Sequence, residues 1–140
     1  MKIKLLKIRE AKGELITYPK DVVRLMKEEA KVDRECVWVL HLNTKHRVIE
    51  KELVSVGTLN SSLIAPREIF KRAILNSAHA IIVVHNHPSG DPYPSPSDER
   101  AVTKLERAGY IIGIELLDYI IISPSGDYWS AREECYMGEL

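Results

Sequence analysis

The sequence predicts an α/β fold in which a mixed β-sheet is flanked by helices. The first observation is the order of elements, since apolar runs and amphipathic segments follow one another as β-α-β-β-α-β-α-β-β. The second is that two of the runs, Cys36–Leu42 and Ala80–Val84, are apolar on both faces, as internal strands are. The third is the length of 140 residues, which suits one domain with its own core and contains no repeat or long linker. We therefore predict a single domain over residues 1–140.

The first half of the chain predicts an outer strand, a helix and a strand hairpin. Lys2–Arg9 alternates apolar and basic residues, which is typical of an edge strand. Asp21 is predicted to cap the first helix. The apolar face of that helix consists of Val22, Val23, Leu25, Met26 and Ala30. After the buried strand, Asn43–His46 predicts a turn, Arg47–Val56 a returning strand and Gly57–Ser62 a polar loop.

The second half of the chain predicts two helices and the remaining strands. Pro66 stands where a first helical turn tolerates proline. The apolar face of the helix that follows consists of Ile69, Phe70, Ala73 and Ile74. Ser97–Ala108 predicts the next helix, with Gly109 as its stop. Ile111–Ile122 predicts one long or two short strands, and Pro124–Asp127 a turn back into a short last strand.

Composition excludes several classes of protein. The 20 basic and 20 acidic residues cancel, so no global field draws the chain to nucleic acid or to anionic lipid. Apolar runs are too short to span a bilayer, and no secretory signal is visible, which predicts a cytoplasmic protein without a membrane partner. Two cysteines, Cys36 and Cys135, exclude a disulfide framework, and a C-x-x-C zinc or redox motif is absent.

His85, His87 and Asp98 form the pattern that carries chemistry. Residues i and i+2 of an extended chain point to the same side, so both imidazoles can face one ion. Asp98, in the first turn of the next helix, can add a carboxylate across the stiff loop Pro88–Pro96. Three such ligands suit one zinc ion and leave a fourth position for water, as in catalytic sites. The alternatives are that two nearby histidines are ordinary core or surface residues, and that Asp98 only favours a helix N-terminus.

Two further residues are candidates for catalysis. Glu35 directly precedes the buried strand, where its carboxylate can reach the end of a neighbouring strand and serve as a general base. Ser95 can donate a hydrogen bond to an oxyanion as a carbonyl becomes tetrahedral. The alternatives remain open: Glu35 stands beside Asp33 and Arg34 as a solvated strand-entry charge would, and Ser95 can be a plain helix cap.

The spacing His85-x-His87, seven residues, Ser95, two residues and Asp98 matches the H-x-H-x(7)-S-x(2)-D pattern of JAMM (MPN-plus) metalloproteases. The wider text resembles the RadC-like branch of these JAB/MPN domains in His85–Asp91, Gly57–Asn60 and Gly113–Asp118. The resemblance implies a fold like that of cytidine deaminases, zinc on the two histidines and the aspartate, and a serine that supports the tetrahedral intermediate. It also implies that the catalytic glutamate is Glu35.

The chain departs from the family pattern in two respects. Longer RadC-like proteins carry an N-terminal helix-hairpin-helix region, whereas only one predicted strand precedes the domain here, which weakens the expectation of DNA contact. Tyr119 stands where members commonly have histidine. Because this position lies outside the metal pattern, we expect the ion to be retained and only a contact around the site, or sheet packing, to change.

The function predicted from these observations is a zinc-dependent metallopeptidase or isopeptidase acting on an unidentified peptide or isopeptide-linked protein. The alternatives are a non-catalytic DNA-repair or mobile-element module and a metal-dependent phosphodiesterase. A zinc deaminase would need the H-x-E and P-C-x-x-C signatures, and the sequence has neither.

Other polar residues receive structural interpretations. His41, His46 and His79 lack ligand-like spacing and are interpreted as strand, turn and helix-end residues. Asn86 is predicted to point away from the metal and to brace the proline-rich loop. Cys36 adjoins Glu35 but points to the opposite face of its strand, which favours a small buried side chain over a nucleophile.

Overall fold

The computed structural model describes residues 13–56 and 64–137. The predicted strand Lys2–Arg9 and the polar loop Gly57–Ser62 lie outside these ranges. The described elements are α1 (Pro19–Leu25), a 3₁₀ turn (Glu29–Lys31), β1 (Cys36–Leu42), β2 (Val48–Val56), α2 (Pro66–Leu75), β3 (Ala80–Asn86), α3 (Pro96–Ile112), β4 (Glu115–Ile122) and β5 (Tyr128–Ser130). In the ranges that the structure describes, no helix combines the length and the apolar character needed to cross a membrane.

The strands form one sheet in the order β2-β1-β3-β4-β5. β1 is antiparallel to β2 and to β3, β3 is parallel to β4, and β4 is antiparallel to β5. The sheet is therefore mixed, and helices cover both of its faces, which confirms the predicted fold class.

The core has two parts, one on each face of the sheet. On one face α2 and α3 bury Phe70 and Leu105 against Val83 of the central strand. On the other face Val22 and Met26, from α1 and the residue after it, pack on Trp38 and other apolar side chains of the sheet. Full burial of each large apolar side chain contributes about 1.5–3 kcal/mol. The sheet is thus a rigid platform, and its strand ends can position polar groups.

The start of α1 differs from the prediction. The helix begins at Pro19, and Asp21 lies inside the first turn instead of capping it from outside. Its Oδ2 accepts hydrogen bonds from the backbone N–H groups of Thr17 (2.8 Å) and Tyr18 (2.9 Å). Asp21 therefore satisfies the free N–H groups of the two residues before the helix. Pro19, at the first helical position, has no N–H that needs a partner.

The end of α3 also differs from the prediction. The helix passes through Gly109 and ends at Ile112, so Ile111 and Ile112 are helical and do not begin a strand. Gly113 has φ 88° and takes the left-handed conformation that closes the helix. Gly109 is required for another reason: a Cβ there would lie 2.5 Å from the carbonyl oxygen of Ile114. Of two glycines close in sequence, one allows tight packing and the other stops the helix.

Candidate metal centre

The two histidines of the motif lie at the end of β3. The strand extends through Asn86, two residues further than predicted, so His85 belongs to it and His87 follows directly. Both imidazoles are on the α3 side of the sheet and both are buried. Their rings are perpendicular, with centroids 4.9 Å apart. Strand alternation therefore brings the two rings together, as the sequence predicted.

Asp98 is held by the start of α3. Ser95 is the N-cap, and its Oγ accepts a hydrogen bond of 3.1 Å from the backbone N–H of Asp98. In return, Asp98 Oδ2 accepts hydrogen bonds from the Ser95 backbone N–H (2.9 Å) and hydroxyl (3.0 Å). This reciprocal arrangement is a capping box, with aspartate in the position usually taken by glutamate. The S-x-x-D part of the motif thus builds the helix N-terminus as well as the site.

The carboxylate of Asp98 lies between the two histidines. Its Oδ1 is 2.9 Å from Nδ1 of His85, and its Oδ2 is 3.2 Å from Nε2 of His87. Asp98 is 0% exposed. Burial alone would raise the pKa of Asp98, but hydrogen bonds from both histidines outweigh it and hold this pKa well below its usual range. Asp98 is therefore an anion at neutral pH.

Tyr119, on β4, donates a hydrogen bond of 2.7 Å from its hydroxyl to Asp98 Oδ1. Burial and the nearby Asp98 charge raise the pKa of Tyr119 well above its ordinary value, so the phenol keeps its proton. Tyr119, the position that the sequence singled out as a departure from the family pattern, thus contacts the carboxylate of the site directly. The sequence identified this position as a departure, but nothing in the sequence showed which group it would contact.

Glu35 approaches the histidines from the other side. It is the residue before β1, and its Oε2 lies 4.0 Å from Nε2 of His85. Donor atoms of Glu35, His85 and His87 all lie within 4.8 Å of one another. The Glu35 side chain is 27% exposed, whereas that of Asp98 is 0% exposed. The structure thus brings Glu35 to the cluster, on its open side.

The orientation of each imidazole is fixed by the partner of its Nδ1. In His85 that partner is Asp98, and in His87 it is the backbone carbonyl of Asp91, at 2.9 Å. Such a contact leaves Nε2 of His85 as the nitrogen that can bind a metal. Nε2 of His87 lies 3.2 Å from Asp98 Oδ2, so a metal ion there would take up a position between these two atoms. Burial alone would lower the pKa of His87, but its contacts with Asp98 and Asp91 raise it overall.

These donors fit a divalent metal ion. The donor atoms that lie within 4.8 Å of one another are two imidazole nitrogens and the Glu35 carboxylate, and the buried Asp98 carboxylate contacts both histidines. Zinc and similar borderline ions accept imidazole and carboxylate ligands. Among the contacts of these four side chains in the described ranges, the ion pairs join only histidines and carboxylates. No lysine or arginine of residues 13–56 and 64–137 forms an ion pair with these carboxylates.

Ser95 forms the helix cap that the sequence offered as an alternative, and Asn86 has contacts that the prediction did not include. The Ser95 hydroxyl both donates to and accepts from Asp98, which is the capping alternative weighed from the sequence. Asn86 does point away from the histidines, but it does not brace the proline-rich loop. Its amide contacts the segment before β1, so that expectation was wrong about the partner.

A second group of possible ligands lies on the same side of the sheet, at its other end. Donor atoms of His41, Glu50 and Glu52 lie within 4.8 Å of one another. His41 Nε2 is 3.0 Å from Glu52, and its Nδ1 is 2.9 Å from the amide nitrogen of Asn76. Arg72 forms an ion pair with Glu50. We call this group the His41 cluster; its imidazole has both nitrogens occupied, and a guanidinium already supplies the positive charge.

Comparison with known proteins identifies the family of the domain. The family model described as "RadC-like JAB domain" matches residues 16–136. Among relatives, a UPF0758 protein of Chlorobium chlorochromatii is 55% identical over 100 residues, covering 71% of this chain and 45% of the relative. One from Desulforudis audaxviator is 57% identical over 105 residues (74% and 46%), and one from Methanosarcina mazei 42% over 123 residues (87% and 53%). The chain spans about half the length of these curated relatives.

Proposed function

This chain belongs to the RadC-like JAB domain family, and from that premise we propose that it is a zinc-dependent hydrolase that cleaves amide bonds in peptides or isopeptide-linked proteins. The observation that carries the proposal is the buried cluster in which Asp98 contacts both His85 and His87 while Glu35 stands 4.0 Å from His85.

We assign the metal ligands as His85, His87 and Asp98, and the general base as Glu35. The alternative is that Glu35 ligates and that Asp98 only orients the histidines, as its contact with His85 Nδ1 would allow. The difference in exposure supports the first assignment. A general base must reach water and substrate, and only Glu35 lies on the open side of the cluster.

A bound divalent ion supplies a water whose pKa falls to about 7 and an electrophile for a carbonyl oxygen. The protein supplies the remaining chemistry. Glu35 accepts a proton from the attacking water and returns it to the leaving amine. The Asp91 carbonyl fixes the orientation of the His87 ring, and hydrogen bonds from Tyr119 and Ser95 fix the Asp98 carboxylate. We further propose that the Ser95 hydroxyl turns from Asp98 to the substrate oxygen as negative charge develops there.

Two measurements test this proposal. Elemental analysis of purified protein is expected to give one zinc per chain, in the wild type and in Glu35→Gln alike. A peptide and isopeptide library is expected to contain a substrate that Glu35→Gln cleaves at least about 100-fold more slowly, the usual contribution of a general base.

Glu52→Gln is the matched control, because it alters a carboxylate next to a histidine in the His41 cluster. This variant should cleave at the wild-type rate. Equal cleavage by Glu35→Gln and the wild type would remove Glu35 from its assigned role, and loss of zinc in Glu35→Gln would make Glu35 a ligand. A metal-free protein with an unchanged fold would contradict the proposal as a whole.

A further inference from the structure

Asn86 stands between the two histidines, and its side chain lies on the opposite face of the sheet, because successive residues of a strand point to opposite sides. It is 0% exposed. A buried amide that is left without hydrogen-bond partners destabilises the folded state, so the partners of Asn86 show which groups it serves.

Those partners are backbone atoms on both sides of Glu35. Asn86 Oδ1 accepts a hydrogen bond of 2.6 Å from the N–H of Cys36, the residue after Glu35. Asn86 Nδ2 donates to the carbonyl of Arg34, the residue before it, at 2.8 Å, and to that of Val32 at 3.3 Å. One side chain therefore fixes the peptide groups immediately before and after the proposed general base.

The segment that these hydrogen bonds hold lies outside the helices and strands. Val32–Glu35 connects the 3₁₀ turn to β1 and belongs to neither. The antiparallel pairing of β1 with β3 has Val37 opposite His85 as its last pair at this end. Asn86 continues the link between the two strands beyond that pair with side-chain hydrogen bonds. The amide also has a single consistent orientation, since its acceptor faces an N–H and its donors face carbonyls.

We propose that Asn86 is a positioning residue that holds the Glu35 carboxylate beside His85 from the other side of the sheet. This inference rests on the proposed role of Glu35 as general base. A purely structural role for Asn86 would lower stability when the residue is replaced. A positioning role also predicts that Glu35 loses its relation to the histidine cluster.

The test uses Asn86→Ala, Asn86→Asp and the control Asn76→Ala, which removes an amide that contacts a histidine of the His41 cluster. The probe is zinc, added to metal-free protein whose glutamate side chains carry carbon-13. The signal is the zinc-induced change in the Glu35 carboxyl shift, which Glu35→Gln identifies. We expect it to be at least halved in Asn86→Ala and unchanged in Asn76→Ala.

Hydrogen exchange of the Cys36 amide provides a second readout. Asn86→Ala should raise its exchange rate at least tenfold, because the acceptor is removed. Asn86→Asp keeps that acceptor but faces two carbonyls without donors, so it should retain Cys36 protection and reduce the Glu35 signal. If Asn86→Ala does not fold, the aspartate variant decides the inference. An unchanged Glu35 signal in the folded variants would overturn it.

Failure of the proposed function gives a different result. If zinc leaves the wild-type Glu35 signal unchanged, the metal proposal is contradicted. The positioning role is then tested without metal: His85→Ala is made in the metal-free protein, and the resulting change in the Glu35 carboxyl shift is measured. Glu35 lies 4.0 Å from that ring, so this change reports the same proximity. This change should be at least halved when His85→Ala is made in the Asn86→Ala protein. An equal change in the wild type and in Asn86→Ala would overturn the positioning role.

Discussion

In the part of the chain that the structure describes, two groups of histidine and carboxylate lie on one side of the sheet, and they differ in what balances their negative charge. At the end of β3, the ion pairs of Glu35 and Asp98 within the described ranges are all with histidines, and Asp98 also accepts hydrogen bonds from Ser95 and Tyr119. In the His41 cluster, Arg72 pairs with Glu50, and Asn76 and Glu52 occupy both imidazole nitrogens. In the second group a guanidinium already balances the negative charge, whereas in the first group, within the described ranges, histidines alone form ion pairs with the carboxylates. Proximity of ligand types is therefore a poor guide to a metal site unless the group that balances their charge is identified.

The largest expected difference between the two groups is in metal content. The double variant His85→Ala/His87→Ala should lose stoichiometric zinc, because two of three proposed ligands are removed. His41→Ala should keep one zinc per chain and instead lose about 1 kcal/mol in the free energy of unfolding, since it leaves the partly buried Glu52 and Asn76 side chains unpaired. Elemental analysis and urea denaturation measure the two effects. Zinc loss in His41→Ala would reverse the comparison.

The second prediction concerns the hydroxyl that supports Asp98. Tyr119→Phe should weaken zinc binding about tenfold, toward the lower end of what is usual when a hydrogen bond to a metal ligand is removed. Competition with a chelator measures the affinity. Tyr128→Phe is the control, because that hydroxyl also donates to a carboxylate, Glu133, but at an exposed position. Equal affinities of the wild type and Tyr119→Phe would show that packing alone fixes Asp98.

The third prediction concerns the helix cap. Ser95→Ala should lower the free energy of unfolding of the metal-free protein by about 1 kcal/mol, the usual cost of a lost N-cap. Ser97→Ala, two residues further along, removes only an exposed contact with Arg100 and should cost less than about 0.5 kcal/mol. Denaturation of the two variants side by side measures the difference. Similar losses would mean that the capping box adds nothing to stability.

The smallest effect is expected from the ion pair of the His41 cluster. The hydrogen bond with Arg72 holds the pKa of Glu50 below its usual value of 4.5. A lowered folded-state pKa stabilises the protein above the unfolded-state pKa, and the gain disappears as pH falls through the folded-state value. At pH 7 the free energy of unfolding of the wild type should exceed that of Glu50→Gln by at most about 1 kcal/mol, the usual contribution of a partly exposed ion pair. Urea denaturation should show this margin shrinking below about pH 4.5, and a margin that grows toward acid would contradict the assignment.

Much of the fold could be predicted because it follows from local patterns. β1 has the predicted bounds, and α2 begins at the predicted proline. The predicted end of α3 was wrong, since the sequence does not show which of Gly109 and Gly113 stops the helix. Only the packing of Gly109 against Ile114 and the left-handed φ of Gly113 distinguish them.

The site could be predicted in part. Strand alternation places His85 and His87 on one face without further information. Glu35 was a candidate from its place before β1, but only the family resemblance favoured it over a solvated charge, because its approach to His85 depends on how β1 pairs with β3. The partners of Asn86 lie 50–54 residues away in sequence, beyond any local pattern. The His41 cluster was overlooked although the predicted hairpin turn already placed β2 opposite β1, and in the structure Glu50 lies directly opposite His41.

The capping box has a consequence for how relatives of this domain should be compared. Ser95 and Asp98 serve the helix whether or not a metal is bound, since they satisfy the N–H groups at its start. A relative without the proposed metal-dependent hydrolysis would still gain stability from retaining S-x-x-D. The two histidines and Glu35 have no such second task at a helix end. Within the motif, it is therefore the H-x-H pair together with the distant glutamate that should separate active from inactive descendants.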